Sequence, residues 1–79
     1  MALINEFESR PSDARSVHGP VSCGYRVFTI EGQRILQLDT YGSPERKIQG
    51  KTSQSIQLDA KSAQDLINIL KESFPNLQG

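Results

Sequence analysis

The spacing of apolar residues changes at Asp59, and this change constrains the fold of the chain more than any other feature. Ile56 and Leu58 alternate with polar residues, which is the period of two that is typical of a strand. Beyond Asp59 the apolar residues recur at helical spacing: Ala63, Leu66, Ile67, Leu70 and Phe74. Asp59 is a favourable N-cap and Pro75 ends a helix, so we predict a helix from about residue 60 to residue 73.

A predicted β-hairpin precedes this helix. Residues 25–30 are rich in β-branched and aromatic side chains, as strands are. Glu31 and Gly32 supply a two-residue turn, in which Gly32 can adopt a positive φ. Residues 33–41 then form the returning strand.

The order of the elements, with strands first and a helix last, predicts the α+β class. Another strand is predicted over residues 53–58, and the alternation of residues 3–8 permits a short edge strand. We therefore expect an antiparallel sheet of about four strands, covered on one face by a C-terminal amphipathic helix.

The predicted strand over residues 33–41 has two faces of different polarity. One face is the drier, and we expect it to point to the core: Leu36, Leu38 and Thr40. The other mixes apolar and polar side chains, and we expect it to be partly exposed: Ile35, Gln37, Asp39 and Tyr41. Tyr41 on this mixed face is a candidate contact residue. In the next strand Ser53, Ser55 and Gln57 form an uncharged, hydrogen-bonding face.

A chain of 79 residues makes a single domain, whose core is small enough to need additional support. Cys23 is the only cysteine and His18 the only histidine, so an intrachain disulfide is excluded and a closed zinc site is not expected. Of the three usual ways to stabilise so small a domain, namely disulfides, metals and a second subunit, self-association remains. Leu70, Phe74 and Leu77 extend the apolar stripe further than one short sheet needs, which predicts a homodimer.

We expect an N-terminal arm over residues 1–22 and a domain over residues 23–79. Residues 9–20 are polar, contain two Pro and one Gly, and are predicted to form a flexible linker. No run approaches the roughly 18 apolar residues of a membrane span, and no basic segment introduces a signal peptide. Together with the single thiol, these features predict a cytoplasmic protein that does not bind membranes.

Catalysis is not expected from the residue types and their spacing. His18 has no acidic neighbour in its polar segment, where an exposed or satisfied imidazole is much commoner than a general base. Cys23, like most lone thiols, is expected to be buried and structural. Gly50-Lys51-Thr52 resembles the tail of a Walker A loop, but Glu45 stands where the first glycine belongs. We therefore predict a non-enzyme without cofactor or metal.

The charge of the chain is unevenly distributed, although nine Lys plus Arg balance nine Asp plus Glu. Residues 23–52 hold five basic and three acidic residues, a net charge of +2, and the segments on either side each carry −1. Basic residues interleaved with aromatic and polar side chains are typical of proteins that bind single-stranded nucleic acid. Composition alone also fits an ordinary solvated surface.

Three stretches resemble the single-stranded-DNA-binding domain of the positive cofactor four family, which has small bacterial members: RILQLDTY at residues 34–41, GK at 50–51 and IQLD at 56–59. The likeness runs from about Tyr25 to Phe74 and lies mainly in the order and spacing of the elements. It implies a curved antiparallel sheet, a homodimer built through the helix and the sheet, and single strands bound across the sheet.

The resemblance also implies roles for individual residues. Lys51 matches a lysine that would hold phosphate, and Tyr41 matches an aromatic residue at the end of the central strand. Arg46 and Lys47 lie in a basic loop, and Arg34 stands where the family often has a lysine. The chain departs from the family in two places. Gly42 replaces a tryptophan, which removes one stacking platform, and the polar residues 52–55 replace a glycine.

These observations predict a protein that binds single-stranded DNA, or RNA, independently of sequence, as an accessory factor in transcription or DNA metabolism. The predicted contact residues are Lys51, Arg46, Lys47, Arg34, Arg26, Tyr41, Tyr25 and Gln57. The alternative is a small dimeric protein-interaction or regulatory module that does not bind nucleic acid. Zero net charge and the uncharged face of residues 53–57 favour that alternative.

Overall fold

The computed structural model describes residues 1–41 and 52–78, which form an α+β fold as predicted. Its elements, in chain order, are β1 (Ala2–Ile4), β2 (Cys23–Ile30), β3 (Gln33–Tyr41), β4 (Thr52–Leu58) and α1 (Ala60–Ser73). In the described part of the chain, residues 5–22 contain neither helix nor strand.

The four strands form one sheet in the order β1-β4-β3-β2. The β2–β3 and β3–β4 pairs are antiparallel, as expected, but β1 pairs with β4 in parallel. The prediction of an entirely antiparallel sheet is therefore wrong at this edge. Alternation within a short segment carries no information about the direction of pairing. A parallel pair needs a long connection between its strands. Here residues 5–22, β2 and β3 all lie between β1 and β4 in the chain.

The β2–β3 hairpin closes through the predicted two-residue turn. Glu31 has φ 51° and Gly32 has φ 78°. Positive φ at both central positions is typical of the type I′ turn, whose twist matches that of the strands it joins. The turn fixes a register in which Ile30 lies opposite Gln33 and Tyr25 opposite Leu38.

The register across β2, β3 and β4 sorts the side chains onto two faces, because residues directly opposite one another share a face. We call one the apolar face, built from two cross-strand rows: Tyr25–Leu38–Ile56 and Val27–Leu36–Leu58. We call the other the polar face, built from the rows Gly24–Asp39–Ser55 and Arg26–Gln37–Gln57. The centre of the sheet thus has a hydrogen-bonding side and an apolar side, although the polar face also carries the apolar pair Phe28–Ile35 near the hairpin turn.

Burial does not follow the sequence prediction. Within the described residues the buried apolar side chains are Ile35 and Leu58, and Asp39 is only 1% exposed. Leu36 and Leu38, which were expected to face the core, are half-buried. The prediction that Ile35 and Asp39 lie on the more exposed side is wrong, because alternation shows which residues share a face and not which face is covered.

α1 has the predicted bounds, and a reciprocal cap fixes its start. The Asp59 carboxylate accepts a hydrogen bond from the backbone N–H of Ser62 (2.9 Å), and the Ser62 hydroxyl accepts one from the backbone N–H of Asp59 (3.1 Å). This capping box satisfies two of the backbone donors that a helix start leaves free. Farther along, Ile67, Leu70 and Phe74 are exposed. No helix among the described residues is long and apolar enough to cross a membrane.

Candidate functional site

A network of hydrogen bonds on the polar face is centred on Asp39. Ser55 Oγ donates to Asp39 Oδ1 over 2.6 Å, and Gln37 Nε2 donates to the same oxygen over 3.0 Å. Gln57 Nε2 in turn donates to Gln37 Oε1 over 2.9 Å. We call these four residues the Asp39 network. Because it joins β3 to β4 by side chains as well as by backbone, the carboxylate is held in a fixed position.

Arg26 of β2 reaches the same carboxylate from the neighbouring row. Its Nη2 lies 3.1 Å from Asp39 Oδ2, within ion-pair distance, and its side chain is 61% exposed while that of Asp39 is 2% exposed. The alignment is not that of a hydrogen bond, and among the described residues Oδ2 has no hydrogen-bond partner. The two carboxylate oxygens therefore differ: Oδ1 accepts two hydrogen bonds, and Oδ2 is paired with the exposed Arg26 guanidinium.

The surroundings of Asp39 favour its ionised form. Hydrogen bonds from Ser55 and Gln37, together with the Arg26 guanidinium, hold the pKa of Asp39 below its ordinary value of 3.8, although burial alone would raise it. At neutral pH the side chain is therefore a carboxylate, which only accepts hydrogen bonds.

A polar cleft of about 370 Å³ lies over this network. Its lining includes Arg26 and Asp39 together with the start of β4, where Thr52 and Ser53 contribute. β3 ends at Tyr41 and β4 begins at Thr52, opposite it in the register. The cleft therefore lies at the end of the sheet where β3 ends and β4 begins.

Tyr41 lies across the end of the polar face, against Gly24. A Cβ atom added at Gly24 would stand 2.6 Å from the Tyr41 hydroxyl and 3.3 Å from two ring carbons. Such a distance is too short for a real contact, so the ring occupies its position because residue 24 has no side chain. Tyr41 is half-buried, which leaves part of it accessible beside the cleft.

The structure divides the predicted contact residues between the two faces. Arg26, Gln57 and Tyr41 lie on the polar face, around the Asp39 network. Tyr25 and Arg34 are exposed on the opposite, apolar face, where Tyr25 opposes Leu38 and Arg34 is two positions from Leu36. The remaining three lie outside the described residues: Lys51, Arg46 and Lys47.

Sequence reasoning missed Asp39 and Gly24 as components of the site. A weak signal for Asp39 was present in the sequence. It is the one charged residue among the four that share a face of its strand: Ile35, Gln37, Asp39 and Tyr41. Its partner Ser55 is 16 positions away in the chain. Their contact depends on a register that the sequence pattern does not specify.

The residues considered for catalysis lie apart from the cleft. His18 is exposed in the segment that has no regular structure. Cys23 is exposed at the start of β2, so the prediction of a buried cysteine is wrong. An edge strand leaves its first residue open to solvent on one side. Across the described ranges, no group of three or more His, Cys, Asp or Glu side chains is arranged to hold a metal ion.

Comparison with known proteins gives no family assignment: no protein-family model, curated protein or solved structure matches the chain.

Proposed function

We propose that the polar face binds single-stranded nucleic acid, as a relative of the positive cofactor four family would. One observation supports this most strongly. A polar cleft lined by Arg26 and hydrogen-bonding side chains includes Thr52 at the start of β4, and the chain between β3 and β4 carries Arg46, Lys47 and Lys51. Single strands are bound by such a combination of backbone-tracking cations and an aromatic surface for the bases.

The proposed contacts divide into phosphate contacts and base contacts. Arg46, Lys47 and Lys51 hold phosphates, each as a cation that releases condensed counterions when it binds. Tyr41 at the end of the polar face offers its ring for stacking, a contact worth about 1–3 kcal/mol per base in other proteins. Gln57, already engaged with Gln37, adds a hydrogen-bonding surface beside it.

Tyr25 and Arg34 are not nucleic-acid contacts in this proposal. They lie on the apolar face, so a strand that crosses the polar face of the same subunit cannot contact them. Tyr25 is 77% exposed there, on the surface that we assign to self-association.

The proposed protein is a homodimer formed through the apolar face and α1. An open groove of about 270 Å³ separates Ala63 of the helix from Val27, Leu36 and Leu58 of the sheet, and it is lined almost entirely by apolar atoms. The two buried apolar side chains within the described ranges are too few for an independent core. A second copy, laying its own helix stripe on this groove, would supply the missing apolar contacts.

The binding proposal is tested by fluorescence anisotropy with a labelled single-stranded DNA oligonucleotide. Three phosphate contacts predict that log affinity falls with log salt concentration with a slope of about −2. Lys51→Ala should weaken binding and bring the slope to about −1.4. Lys61→Ala is the matched control, since it removes the same charge from α1, where Lys61 pairs with Asp65. It should leave both values unchanged.

Absence of binding to DNA and RNA oligonucleotides at low salt would refute the proposal. In that case the exposed apolar stripe of α1 would favour the protein-interaction module instead. Equal effects of Lys51→Ala and Lys61→Ala would show that binding depends on total charge and would count against a specific site in segment 42–51.

A further inference from the structure

The Asp39 carboxylate has a feature that its role in the sheet does not explain. Its Oδ1 accepts hydrogen bonds from Ser55 and Gln37, but its Oδ2 accepts none from the described residues, although the side chain is only 2% exposed. An unsatisfied oxygen in such a position is destabilising, because buried polar groups normally have partners. In the present conformation this oxygen is covered, and the group beside it is Arg26, which with Asp39 lines the cleft.

The neighbour of that oxygen is a donor that can move. The Arg26 guanidinium lies 3.1 Å away without hydrogen-bond alignment, and 61% of its side chain is exposed to solvent. A fixed acceptor and a solvent-exposed donor thus stand side by side among the residues that line the cleft. Its volume of about 370 Å³ lies at the small end of the roughly 300–1,000 Å³ range of ligand pockets, which suits a group the size of a nucleobase.

We propose that this cleft receives one amino-bearing nucleobase of the bound strand, with cytosine the preferred pyrimidine. The inference rests on the proposed function and specifies the ligand of the same surface. The exocyclic amino group donates a hydrogen bond to Asp39 Oδ2, and Arg26 turns outward to donate to the adjacent ring acceptor. Carboxylates are known to read cytosine by accepting from this amino group.

Thymine is the disfavoured pyrimidine at the same position. It has carbonyl oxygens on both sides of its single ring N–H, and at least one of them would face the Asp39 carboxylate at close range. Two acceptors without a proton between them repel each other, whereas the cytosine amino group has no such conflict. Because the pyrimidines are similar in size and stacking surface, the difference between them isolates the contact with Asp39.

The test compares oligonucleotides of one length containing 5-methylcytosine or thymine, competed against a labelled strand on the wild-type protein. These bases differ only at the reading edge, so stacking and phosphate contacts are matched. We expect the 5-methylcytosine strand to bind about tenfold or more tightly, as a good base contact allows. Equal binding overturns the inference and leaves the proposed function standing. Failure of both strands to bind at low salt overturns the proposed function itself.

Asp39→Asn tests the residue directly. The amide can still accept from Ser55 and Gln37 through its oxygen, and then presents N–H groups where Oδ2 stood. We therefore expect the preference to disappear or to reverse in favour of thymine. The lost negative charge should strengthen binding of both strands alike, so the informative quantity is the ratio of the affinities for the 5-methylcytosine and thymine strands.

Asp65→Asn is the matched control, since it makes the same change on α1 and should leave this ratio unchanged. Circular dichroism confirms that each variant is folded. A preference that persists in folded Asp39→Asn would overturn the assignment of Asp39.

Discussion

At the scale of single residues, the site depends on pairs that the chain order does not reveal. Gln37 and Asp39 were correctly placed on one face of a strand from alternation alone. Their partners Ser55 and Arg26 come from two other strands, so the burial of Asp39 is a property of the assembled sheet. The contact of Tyr41 with Gly24 is of the same kind.

The contact between Gly24 and Tyr41 gives a prediction about stability. Gly24→Ala would place a methyl group 2.6 Å from the Tyr41 hydroxyl, so the ring must leave its present rotamer. This should cost about 0.5–1.5 kcal/mol of unfolding free energy, measured by urea denaturation. In a Tyr41→Ala background the same substitution should cost nothing, which a double-mutant cycle reveals.

Gly19→Ala is the control for that experiment. A Cβ at position 19 meets no atom within 4 Å, so the substitution should be neutral or stabilise by up to about 1 kcal/mol. If Gly24→Ala costs the same with and without the Tyr41 ring, the contact has no energetic role.

At the scale of elements, the sequence predicted most of the fold because each signal was local. The β2–β3 turn follows from Glu31-Gly32, and the bounds of α1 follow from its cap and its helical spacing. β1 was visible only as a short alternation, and its parallel pairing depends on the distant β4. The burial of the sheet faces was also beyond local reasoning, because it depends on where α1 packs.

The cap of α1 gives a prediction about pH. Hydrogen bonds from the backbone and side chain of Ser62 lower the pKa of Asp59 from its ordinary value of 3.8. The ionised form is therefore favoured in the folded state. Its stabilising contribution is complete above the unfolded-state pKa and is lost as the pH falls through the lower folded-state pKa. Asp59→Asn, which keeps a capping oxygen that does not titrate, should lose less stability below pH 3.8 than the wild type does.

Thermal or urea unfolding between pH 7 and pH 2 measures this difference. The wild type and Asp59→Asn should be similar at pH 7, since Asn and Asp cap equally well. Asp59→Ala, which has no capping acceptor, should already be less stable at pH 7. Parallel curves for the wild type and Asp59→Asn across the whole range would contradict the prediction.

At the scale of the whole molecule, the single chain leaves its apolar surface half-covered. The apolar face and the outer stripe of α1 remain open, while the buried carboxylate lies on the other side of the sheet. The distribution explains why length and composition alone suggested self-association. In our proposals the two faces have different tasks, because the dimer uses the apolar face and the nucleic-acid contacts use the polar face.

Ile67 provides a test of the dimer. It is 44% exposed in the single chain and lies in the centre of the helix stripe. Ile67→Lys would bury an unpaired charge in the proposed interface, and the dimer dissociation constant should rise roughly 100-fold or more. Sedimentation velocity at micromolar concentration should give twice the 8.8 kDa chain mass for the wild type and the chain mass for the variant.

Val17→Lys is the matched control. It adds the same charge at a residue that is 98% exposed in the segment without regular structure, so the dimer should persist. A monomeric wild type at micromolar concentration would exclude the dimer, and equal dissociation by both variants would exclude the helix stripe as its interface.

The position of the C-terminal end of α1 is sensitive to the direction of the helix at its capped start. Ala60 and Ala63 in the first turns of the helix border the sheet groove, whereas Ile67, Leu70 and Phe74 in the later turns are exposed. Fourteen residues make a rigid rod of about 21 Å, so a tilt of about 10° at the capping box displaces its far end by about 4 Å. A change of helix direction at the cap would therefore displace the C-terminal end of α1 further than any other part of it.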